Sequence, residues 1–411
     1  MSVLSFGCRL NIQEGEAIRA HLTAAGLRDV LVVNTCAVTA EAEKQARQAI
    51  RRLKRENPQA SIVVTGCAAQ ISPDAYAAMP EVARVLGNAE KLRAETWRQT
   101  ASSIGDIMTA QAPEDLPEEP GQDFKLRPRA YLEIQQGCDH RCTFCIIPYG
   151  RGPSRSQPLG AVAERARRLA AQGFREFVLT GVDIASYGGD LPGRPSLGQA
   201  ARRLLNLVPE IERLRFSSLD PAGIDDDLLR LYAEEPRVMP HAHLSLQAGD
   251  DLILKRMKRR HSRDQALRVA ASLRAARPEI ALGADMIAGF PTEDDAAFQR
   301  GADLVDEIGL AYLHVFPYSA RQGTPAARMP QLPMALRRAR AAELRRRGEA
   351  GLRRHLSQRA GKAASILVEQ AGLGRDETYA PVKLALAHDK GSVISARVEA
   401  ARDGGLWLEA A

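Results

Sequence analysis

The segment GCDHRCTFCIIPYGRG (137–152) contains Cys138, Cys142 and Cys145 with the spacing C-x-x-x-C-x-x-C. With this spacing one loop supplies three thiolates to a [4Fe-4S] cluster and leaves the fourth iron without a protein ligand. An open iron is a reaction site, whereas a cluster closed by four thiolates is usually an electron carrier. The segment therefore predicts a reactive iron–sulfur centre.

Structural zinc is the main alternative for these three thiols. Zinc sites of that kind normally have four ligands that come from C-x-x-C pairs. His140 would be the fourth ligand, but it lies inside the same tight loop, and closing a site there would strain the loop. The spacing therefore favours an iron–sulfur cluster over zinc.

The residues around the cysteine loop predict a partial (β/α)6 barrel over residues 127–357. AYLEIQQG (130–137) is a strand candidate directly before the loop, and helical patterns such as GAVAERARRLAAQG (160–173) separate the later candidates. The later strand candidates are EFVLTGVD (176–183), RLRFSSLD (213–220), HAHLSLQ (241–247), IALGADMIAGFP (280–291) and AYLHVFPYS (311–319). The cysteine loop would then follow the first strand, at the carboxyl end where the chemistry of such barrels is sited.

The other three cysteines each end a short apolar run, and helical patterns lie between the runs. The runs are SVLSFGC (2–8), DVLVVNTC (29–36) and ASIVVTGC (60–67). Such runs indicate buried parallel strands, so residues 1–110 predict a βαβαβ parallel sheet. Ligand sites of open α/β sheets form at the carboxyl edge, where we expect Cys8, Cys36 and Cys67 to converge. Gly7 and Gly66 allow the tight turns that this needs.

Free cysteines are often simply buried, which is the alternative for each of these three thiols. Three at equivalent positions of successive units favour a second three-thiolate cluster instead. Disulfides are not expected, because we find no signal peptide, no membrane span and no high density of cysteine. The protein is therefore expected in the cytoplasm.

The composition is that of a globular chain of two or three domains. The chain has 411 residues, is 45% hydrophobic and carries a net charge of +7, which mildly favours a polyanionic partner. Basic residues are dense in 255–261 and in 337–355. For the second stretch, an RNA contact and a solvated helix face are equally expected.

Residues 111–126 are acidic and rich in proline, which indicates a linker, and residues 358–411 change character again. The short runs ASILVEQ, TYAPVKLA, SVISARVEAA and GLWLEA predict a small antiparallel β-barrel. Its candidate nucleic-acid face consists of Lys362, Lys383, Lys390, Arg397, Tyr379 and Trp407. A β-domain without that role is an equal alternative.

The cysteine loop, with Phe144 just before its third cysteine, resembles the signature of the radical S-adenosylmethionine (SAM) enzymes. The resemblance implies that the open iron binds SAM, whose cleavage gives a 5′-deoxyadenosyl radical. Two cysteine triads followed by a small β-domain resemble the methylthiotransferase family, which has an N-terminal cluster domain, a radical SAM barrel and a C-terminal barrel called TRAM. The motifs that carry this likeness are GCRLN (7–11), NTCAVT (34–39), TGCAAQ (65–70), GNAEK (87–91), CIIPYGRGPSRS (145–156), LSLQAGDDLILKRM (244–257) and VFPYSARQGTPAARMP (315–330).

The run Arg9-Leu10-Asn11 resembles the branch that acts on N6-threonylcarbamoyladenosine in tRNA, although Val is usual at the position of Leu10. Other branches act on isopentenyladenosine in tRNA or on an aspartate of a ribosomal protein. The resemblance implies a methylthio transfer to adenine C2 in the anticodon loop, with two SAM, two [4Fe-4S] clusters, an electron donor such as flavodoxin or ferredoxin, and no membrane. A non-catalytic iron–sulfur protein that binds RNA is the alternative from another class.

Residues at the ends of the barrel strands are the candidate SAM contacts that the resemblance implies, with Phe144 beside them. They are Thr180, Gly181, Asp183, Ser217, Ser218, Gln247, Gly289 and Pro291. For each of them, a turn residue without a ligand is an equal alternative. Arg151 and Arg155 are candidate contacts to phosphate or to the threonyl carboxylate, or else structural partners of barrel carboxylates.

Overall fold

The computed structural model describes residues 2–110 and 127–408, so the predicted linker at 111–126 lies outside the described residues. The N-terminal part is a parallel sheet in the order β1-β2-β3-β4. Its strands are Ser2–Ser5 (β1), Val30–Thr35 (β2), Ser61–Gly66 (β3) and Arg84–Val85 (β4). Its helices are Arg9–Ala24 (α1), Ala40–Glu56 (α2), Cys67–Ile71 (α3), Pro73–Ala77 (α4) and Ala94–Arg98 (α5). The predicted parallel sheet is confirmed.

The central part is a partial barrel of six parallel strands. These are Arg129–Gln136 (β5), Glu176–Gly181 (β7), Arg213–Phe216 (β8), His241–Gln247 (β9), Ala281–Ala288 (β10) and Tyr312–Pro317 (β11), while Arg155–Ser156 (β6) pairs antiparallel with β5. The helices are Ile147–Arg151 (α6), Leu159–Ala171 (α7), Leu197–Leu207 (α8), Asp226–Glu234 (α9), Asp251–Arg256 (α10), Arg263–Ala276 (α11), Asp295–Ile308 (α12) and Met334–Arg359 (α13). A bridge between Leu219 and Leu244 joins the two halves of the strand array.

The alternation along the barrel strands decides which side chains face inward. Leu244 and Leu246 of β9 belong to the core between strands and helices, as do Leu282 and Ala284 of β10. Because successive side chains of a strand point to opposite faces, the intervening polar residues line the barrel interior.

The C-terminal part is a closed barrel in the order β12-β13-β14-β16-β15. Its strands are Ala363–Gln370 (β12), Leu373–Arg375 (β13), Pro381–Lys383 (β14), Val393–Arg402 (β15) and Gly405–Leu408 (β16). The predicted small barrel is confirmed, but the prediction of wholly antiparallel pairing is wrong for β14 and β16, which pair parallel. Strand directions that alternate around a closed ring of five must repeat once, so one parallel pair is unavoidable.

The C-terminal barrel docks on the amino ends of the central strands, at the end opposite the cysteine loop. Glu176, at the start of β7, pairs with Arg213 at 2.7 Å and with Arg215 at 2.9 Å. The same arginines reach across the junction, where Arg213 Nη1 donates to the carbonyl of Ser365 at 3.0 Å.

Tyr379 lies in this junction and stacks on His241 with ring centroids 5.2 Å apart. Arg215 and Arg375 approach the same ring at 5.1 and 4.5 Å. Tyr379 therefore faces the central barrel, and its predicted place on a nucleic-acid face is wrong.

Some arginines of the two basic stretches are buried and hold the packing of the central part together. In α13, Arg337 donates to the carbonyl of Tyr318 at 3.1 Å, and Arg340 pairs with Glu293 at 2.9 Å. In the other stretch, Arg260 pairs with Asp220 at 3.3 Å. Arg337 and Arg340 are therefore buried structural residues, whereas Arg260, Arg346 and Arg354 are exposed, and the RNA contact considered for 337–355 stays a prediction.

Within the described ranges, the helices are all too short or too polar to span a lipid bilayer. The predicted domain boundaries remain predictions.

Candidate functional site

The barrel triad follows β5 in a loop that glycine makes possible. Gly137 has φ +72°, and a Cβ there would lie 1.8 Å from the carbonyl oxygen of Pro153. The loop is closed by the amide of Cys138, which donates to the carbonyl of Gly152 at 3.1 Å, and by the amide of Cys145, which donates to that of Cys142 at 3.0 Å. The three half-buried thiols act on one another electrostatically.

Burial makes two of these thiols, Cys138 and Cys145, hold their protons in the absence of a ligand. Burial, with Asp183 nearby, raises the pKa of Cys138 to about 12, and burial raises that of Cys145 to about 11. A metal centre takes up thiolates, so its binding would release these protons.

Two polar side chains flank the barrel triad. Asp183 accepts a hydrogen bond from Ser186 Oγ at 2.7 Å and pairs with His140 Nε2 at 2.9 Å, with its carboxylate 4.0 Å from Cys138 Sγ. On the other side, Arg259 Nη1 lies 3.7 Å from Cys142 Sγ, and its Nη2 pairs with Asp220 at 3.3 Å. His140 is therefore engaged by a carboxylate, and one thiol faces a fixed cation.

The N-terminal triad lies at the carboxyl edge of the parallel sheet. Cys8 caps α1, Cys36 directly follows β2, and Cys67 begins α3 directly after β3. A Cβ at Gly7 would lie 2.5 Å from Cys36 Sγ, so only glycine lets the Cys8 turn come this close. Burial raises the pKa of Cys36 to about 11. The structure thus brings the three strand-end cysteines to one edge.

The two triads lie on either side of α6. This helix leaves the barrel triad and packs on α3, where a Cβ at Gly150 would lie 3.2 Å from Cys67 Cβ. Arg151, the last residue of α6, donates from Nε to Cys67 Sγ at 3.0 Å. One five-residue helix therefore connects the two sets of thiols.

The spacing of the sulfur atoms argues against a single metal ion held by all three thiolates of either triad, although Cys138 Sγ does lie within 4.8 Å of ligand atoms of His140 and Asp183. Tetrahedral zinc with Zn–S bonds of about 2.3 Å brings its sulfur ligands to about 3.8 Å from one another. The structure describes all six cysteines, and it nowhere places three of their sulfur atoms within 4.8 Å of one another. At each triad at least one distance between two sulfur atoms therefore exceeds 4.8 Å, which fits a cluster better than one ion.

A buried ionic network lies next to the N-terminal triad. Arg151 Nη2 donates to Glu14 Oε2 at 2.9 Å, and Lys91 Nζ donates to the same atom at 2.7 Å. Burial opposes ionisation of Glu14, but Arg151 and Lys91 outweigh it and lower its pKa to about 2. Arg155 donates locally to the carbonyls of Pro153 and Arg151. Arg151 is therefore a buried structural partner, and its carboxylate comes from the N-terminal part of the chain.

The candidate SAM contacts lie around the carboxyl mouth of the barrel. Ser218 Oγ donates to Asp285 Oδ2 at 3.4 Å, and Gln247 ends β9 with φ +68°. A Cβ at Gly289 would lie 2.7 Å from Arg337 Cγ, so a helix already packs on this glycine. The others are Phe144, packed in an apolar cluster, buried Thr180, Ser217 and Pro291, and Gly181 at the end of β7. Asp183 is the member that approaches the barrel thiols.

A polar group inside the barrel escaped the sequence analysis. Asp285 Oδ1 lies 3.0 Å from His243 Nε2 and 3.1 Å from His314 Nδ1. The sequence pattern could have indicated this group, because His243 and Asp285 occupy the polar positions between apolar residues of their strands. Burial opposes ionisation of Asp285, but hydrogen bonds from the two histidines hold its pKa below the usual value.

Comparison with known proteins identifies the two larger parts of the chain. The radical SAM superfamily model matches residues 132–305, and the model of "Uncharacterized protein family UPF0004" matches residues 1–87. The solved radical SAM methyltransferase TsrM from Kitasatospora setae is 15% identical, with a TM-score of 0.54 over 77% of this chain and 68% of that one. At that identity the likeness concerns the fold alone.

Curated relatives cover nearly the whole chain. The "Threonylcarbamoyladenosine tRNA methylthiotransferase MtaB" of Rickettsia prowazekii is 49% identical over 384 residues, which are 93% of this chain and 90% of that protein. The "tRNA-2-methylthio-N(6)-dimethylallyladenosine synthase" of Novosphingobium aromaticivorans is 35% identical over 393 residues, which are 90% and 86% of the two chains. Given this similarity and the cysteine loop at the mouth of the barrel, the chain belongs to the radical SAM methylthiotransferase family.

Proposed function

We propose that this enzyme adds a methylthio group to C2 of N6-threonylcarbamoyladenosine, next to the anticodon of tRNA. The observation that carries the proposal is the 49% identity over 93% of the chain to a relative named for that substrate. Relatives from Thermotoga maritima and Bacillus subtilis with the same name are 35% and 37% identical over 79% of the chain. Transfer to the dimethylallyl-type adenosine is the second candidate, supported by the relative that is 35% identical.

The radical SAM family uses SAM and a [4Fe-4S] cluster, for which Cys138, Cys142 and Cys145 are the ligands we propose. We propose Cys8, Cys36 and Cys67 as the ligands of a second cluster, because they form a similar set of three wide-set thiols at a sheet edge. When bound, these groups supply the radical and sulfur chemistry that an adenine C2–H bond of no useful acidity requires.

The chain itself would bind, orient and enclose the reactants. Asp183, Ser217 and Gln247 lie where SAM would meet the carboxyl mouth, and α6 fixes the separation of the two triads. The target base lies in a single-stranded loop, so its extrusion would cost only a few kcal/mol. Inside the barrel, His243 and Asp285 offer hydrogen-bonding groups to a base that enters from the mouth.

The C-terminal barrel closes the other end of the strands, so the target base would enter at the mouth. Lys362 and Lys383 of the small barrel are exposed and available for phosphate contacts. The electron would come from a small redox protein such as flavodoxin or ferredoxin, in the cytoplasm where tRNA is modified.

Nucleoside mass spectrometry on tRNA tests the proposal. The host would lack its own methylthiotransferases, and tRNA would be compared with and without this chain. A methylthio group on threonylcarbamoyladenosine supports the proposed substrate, and one on isopentenyladenosine replaces it with the second candidate. If neither nucleoside changes while SAM is still cleaved, the tRNA substrate is wrong and the ribosomal-protein aspartate is examined by mass. Absence of SAM cleavage after reduction would favour the non-catalytic alternative.

A further inference from the structure

The ionic network behind the N-terminal triad contains more positive than negative charge. Its ionic side chains, Arg151, Lys91 and Glu14, are all buried, and they amount to two cations and one carboxylate. Burying an uncompensated charge is costly, so a further anion is expected nearby. The groups next to the surplus charge are the cysteine thiols.

The ammonium group of Lys91 has hydrogen-bond acceptors for all its protons without the thiols. Its Nζ donates to Glu14 at 2.7 Å, to Asn88 Oδ1 at 2.6 Å and to Asn34 Oδ1 at 3.2 Å, which uses all three of its protons.

Arg151 is the cation that faces the triad. Its two terminal nitrogens bond to Glu14, to Asn11 Oδ1 and to Gln136 Oε1. The remaining donor, Nε, points to Cys67 Sγ at 3.0 Å. A guanidinium keeps its charge in proteins, so Cys67 has a permanent charged donor.

We propose that Arg151 is a positioning residue for the N-terminal cysteine triad, where it offsets the negative charge of the thiolates and hydrogen-bonds to one of them. The inference rests on the second cluster proposed above. Hydrogen bonds to cluster sulfurs and nearby charge set the reduction potential of an iron–sulfur centre. A cation beside the cluster favours the more negative, reduced form, so Arg151 raises the potential.

The barrel triad provides a matched comparison. Arg259 Nη1 lies 3.7 Å from Cys142 Sγ, and Asp220 pairs with this arginine at 3.3 Å. Each triad therefore has one arginine at one sulfur, and each arginine is expected to act on its own centre.

The experiment measures the N-terminal centre alone. In the full chain carrying Cys138→Ala, Cys142→Ala and Cys145→Ala, only Cys8, Cys36 and Cys67 are left to hold a cluster. After anaerobic reconstitution with iron and sulfide, the iron content of the protein is determined. The midpoint potential is then measured by electron paramagnetic resonance at set potentials. In this background Arg151→Met is expected to disfavour reduction about tenfold, which is a drop of about 59 mV for one electron. Arg151→Lys keeps the charge and should recover part of the loss, whereas Arg259→Met should leave the potential unchanged.

A second variant covers the case in which Arg151→Met does not fold. The double variant Glu14→Gln with Arg151→Met removes the carboxylate together with its partner, and Lys91 preserves the surplus of one positive charge. It still lacks the donor to Cys67, so its potential should also lie below that of the parent. Equal potentials in the parent and in Arg151→Met would overturn the role of Arg151 and leave the cluster intact, as would an equal shift from Arg259→Met. Where Arg151→Met does not fold, equal potentials in the parent and the double variant would overturn the hydrogen bond to Cys67. A parent that holds no iron would overturn the second cluster itself, and the inference with it.

Discussion

Replacing a cysteine of the barrel triad is expected to affect the reaction differently from replacing a cysteine of the N-terminal triad. We predict that Cys142→Ala abolishes both SAM cleavage and methylthiolation, because the barrel triad then has only two thiolates. Cys8→Ala leaves that triad complete, so it should spare SAM cleavage and abolish methylthiolation. Quantifying 5′-deoxyadenosine and the modified nucleoside from the same reaction separates the two effects. Product from the Cys8 variant would contradict the role assigned to the N-terminal triad.

Gly137 is a residue whose replacement should distort the barrel site through the backbone. In Gly137→Ala the residue keeps an unfavourable positive φ, at a cost of about 1–2 kcal/mol, and its Cβ meets the carbonyl of Pro153 at 1.8 Å. We expect a lower iron content at the barrel triad and slower SAM cleavage.

Gly173→Ala is the matched control for this change. Gly173 also has a positive φ of +98°, but nothing lies within 4 Å of its Cβ position. It should therefore lose some stability and keep its iron, and equal iron loss in both variants would show that strain alone is responsible.

At this scale the sequence predicted where the N-terminal cysteines lie better than it predicted what surrounds them. Cys8, Cys36 and Cys67 could be placed because each follows an apolar run whose end fixes a strand end. The partners of Arg151 could not, because Glu14 is 137 positions away in sequence and meets it only through the docking of two parts of the chain. The nucleic-acid role predicted for Tyr379 was wrong for the same reason, since its ring stacks on His241 of the central barrel.

At the scale of elements, α13 meets the C-terminal barrel through a histidine that should make stability depend on pH. Thr378 donates its hydroxyl proton to Asp376 at 2.8 Å, so its oxygen accepts from His355 Nε2 at 3.0 Å. Burial, assisted by Arg359 and Lys362, lowers the pKa of His355 from 6.5 to about 4.

A lowered histidine pKa means that the folded state favours the neutral ring. The contribution of His355 is therefore fully present above about pH 6.5 and is lost as the pH falls towards about 4. We predict that the free energy of unfolding declines over this interval, and that His355→Gln makes the decline shallower. Denaturant unfolding at several pH values measures this. His388→Gln, at an exposed position, is the control, and an unchanged slope in the His355 variant would refute the assignment.

The long strands were predictable and the short ones were not. β9 matches its predicted range of 241–247, because alternating apolar residues span its whole length. β4 and β6 have two residues each, which is too short for any periodicity to be visible. Their existence depends on neighbouring strands rather than on their own residues.

For the whole molecule, the buried junction of Glu176 with three arginines is expected to govern cohesion of the two barrels. Burial opposes ionisation of Glu176, but Arg129, Arg215 and Arg213 outweigh it and hold its pKa well below the usual value. Glu176→Gln leaves these buried cations without their carboxylate. We predict a loss of about 3–5 kcal/mol in the free energy of unfolding, measured by denaturant titration.

Glu164→Gln is the surface control for this prediction. Glu164 pairs with Arg167 at 3.3 Å on an exposed helix face, where its removal should change stability by about 0.5 kcal/mol or less. Similar losses in the two variants would show that the junction has no special weight.

The order of the three parts along the chain followed from the sequence, because each has its own hydrophobic period and its own cysteines or turns. Their mutual placement did not, since it depends on charged side chains such as Arg213 that resemble ordinary surface residues until their partners are known.

The position of Arg151 at the end of α6 has a consequence for biogenesis. A ribosome releases Cys8, Cys36 and Cys67 long before it reaches residue 151, so the newborn N-terminal sheet lacks the guanidinium that completes the surroundings of Cys67. If the first triad holds a cluster, we therefore expect that its surroundings are completed only after the barrel loop has been synthesised.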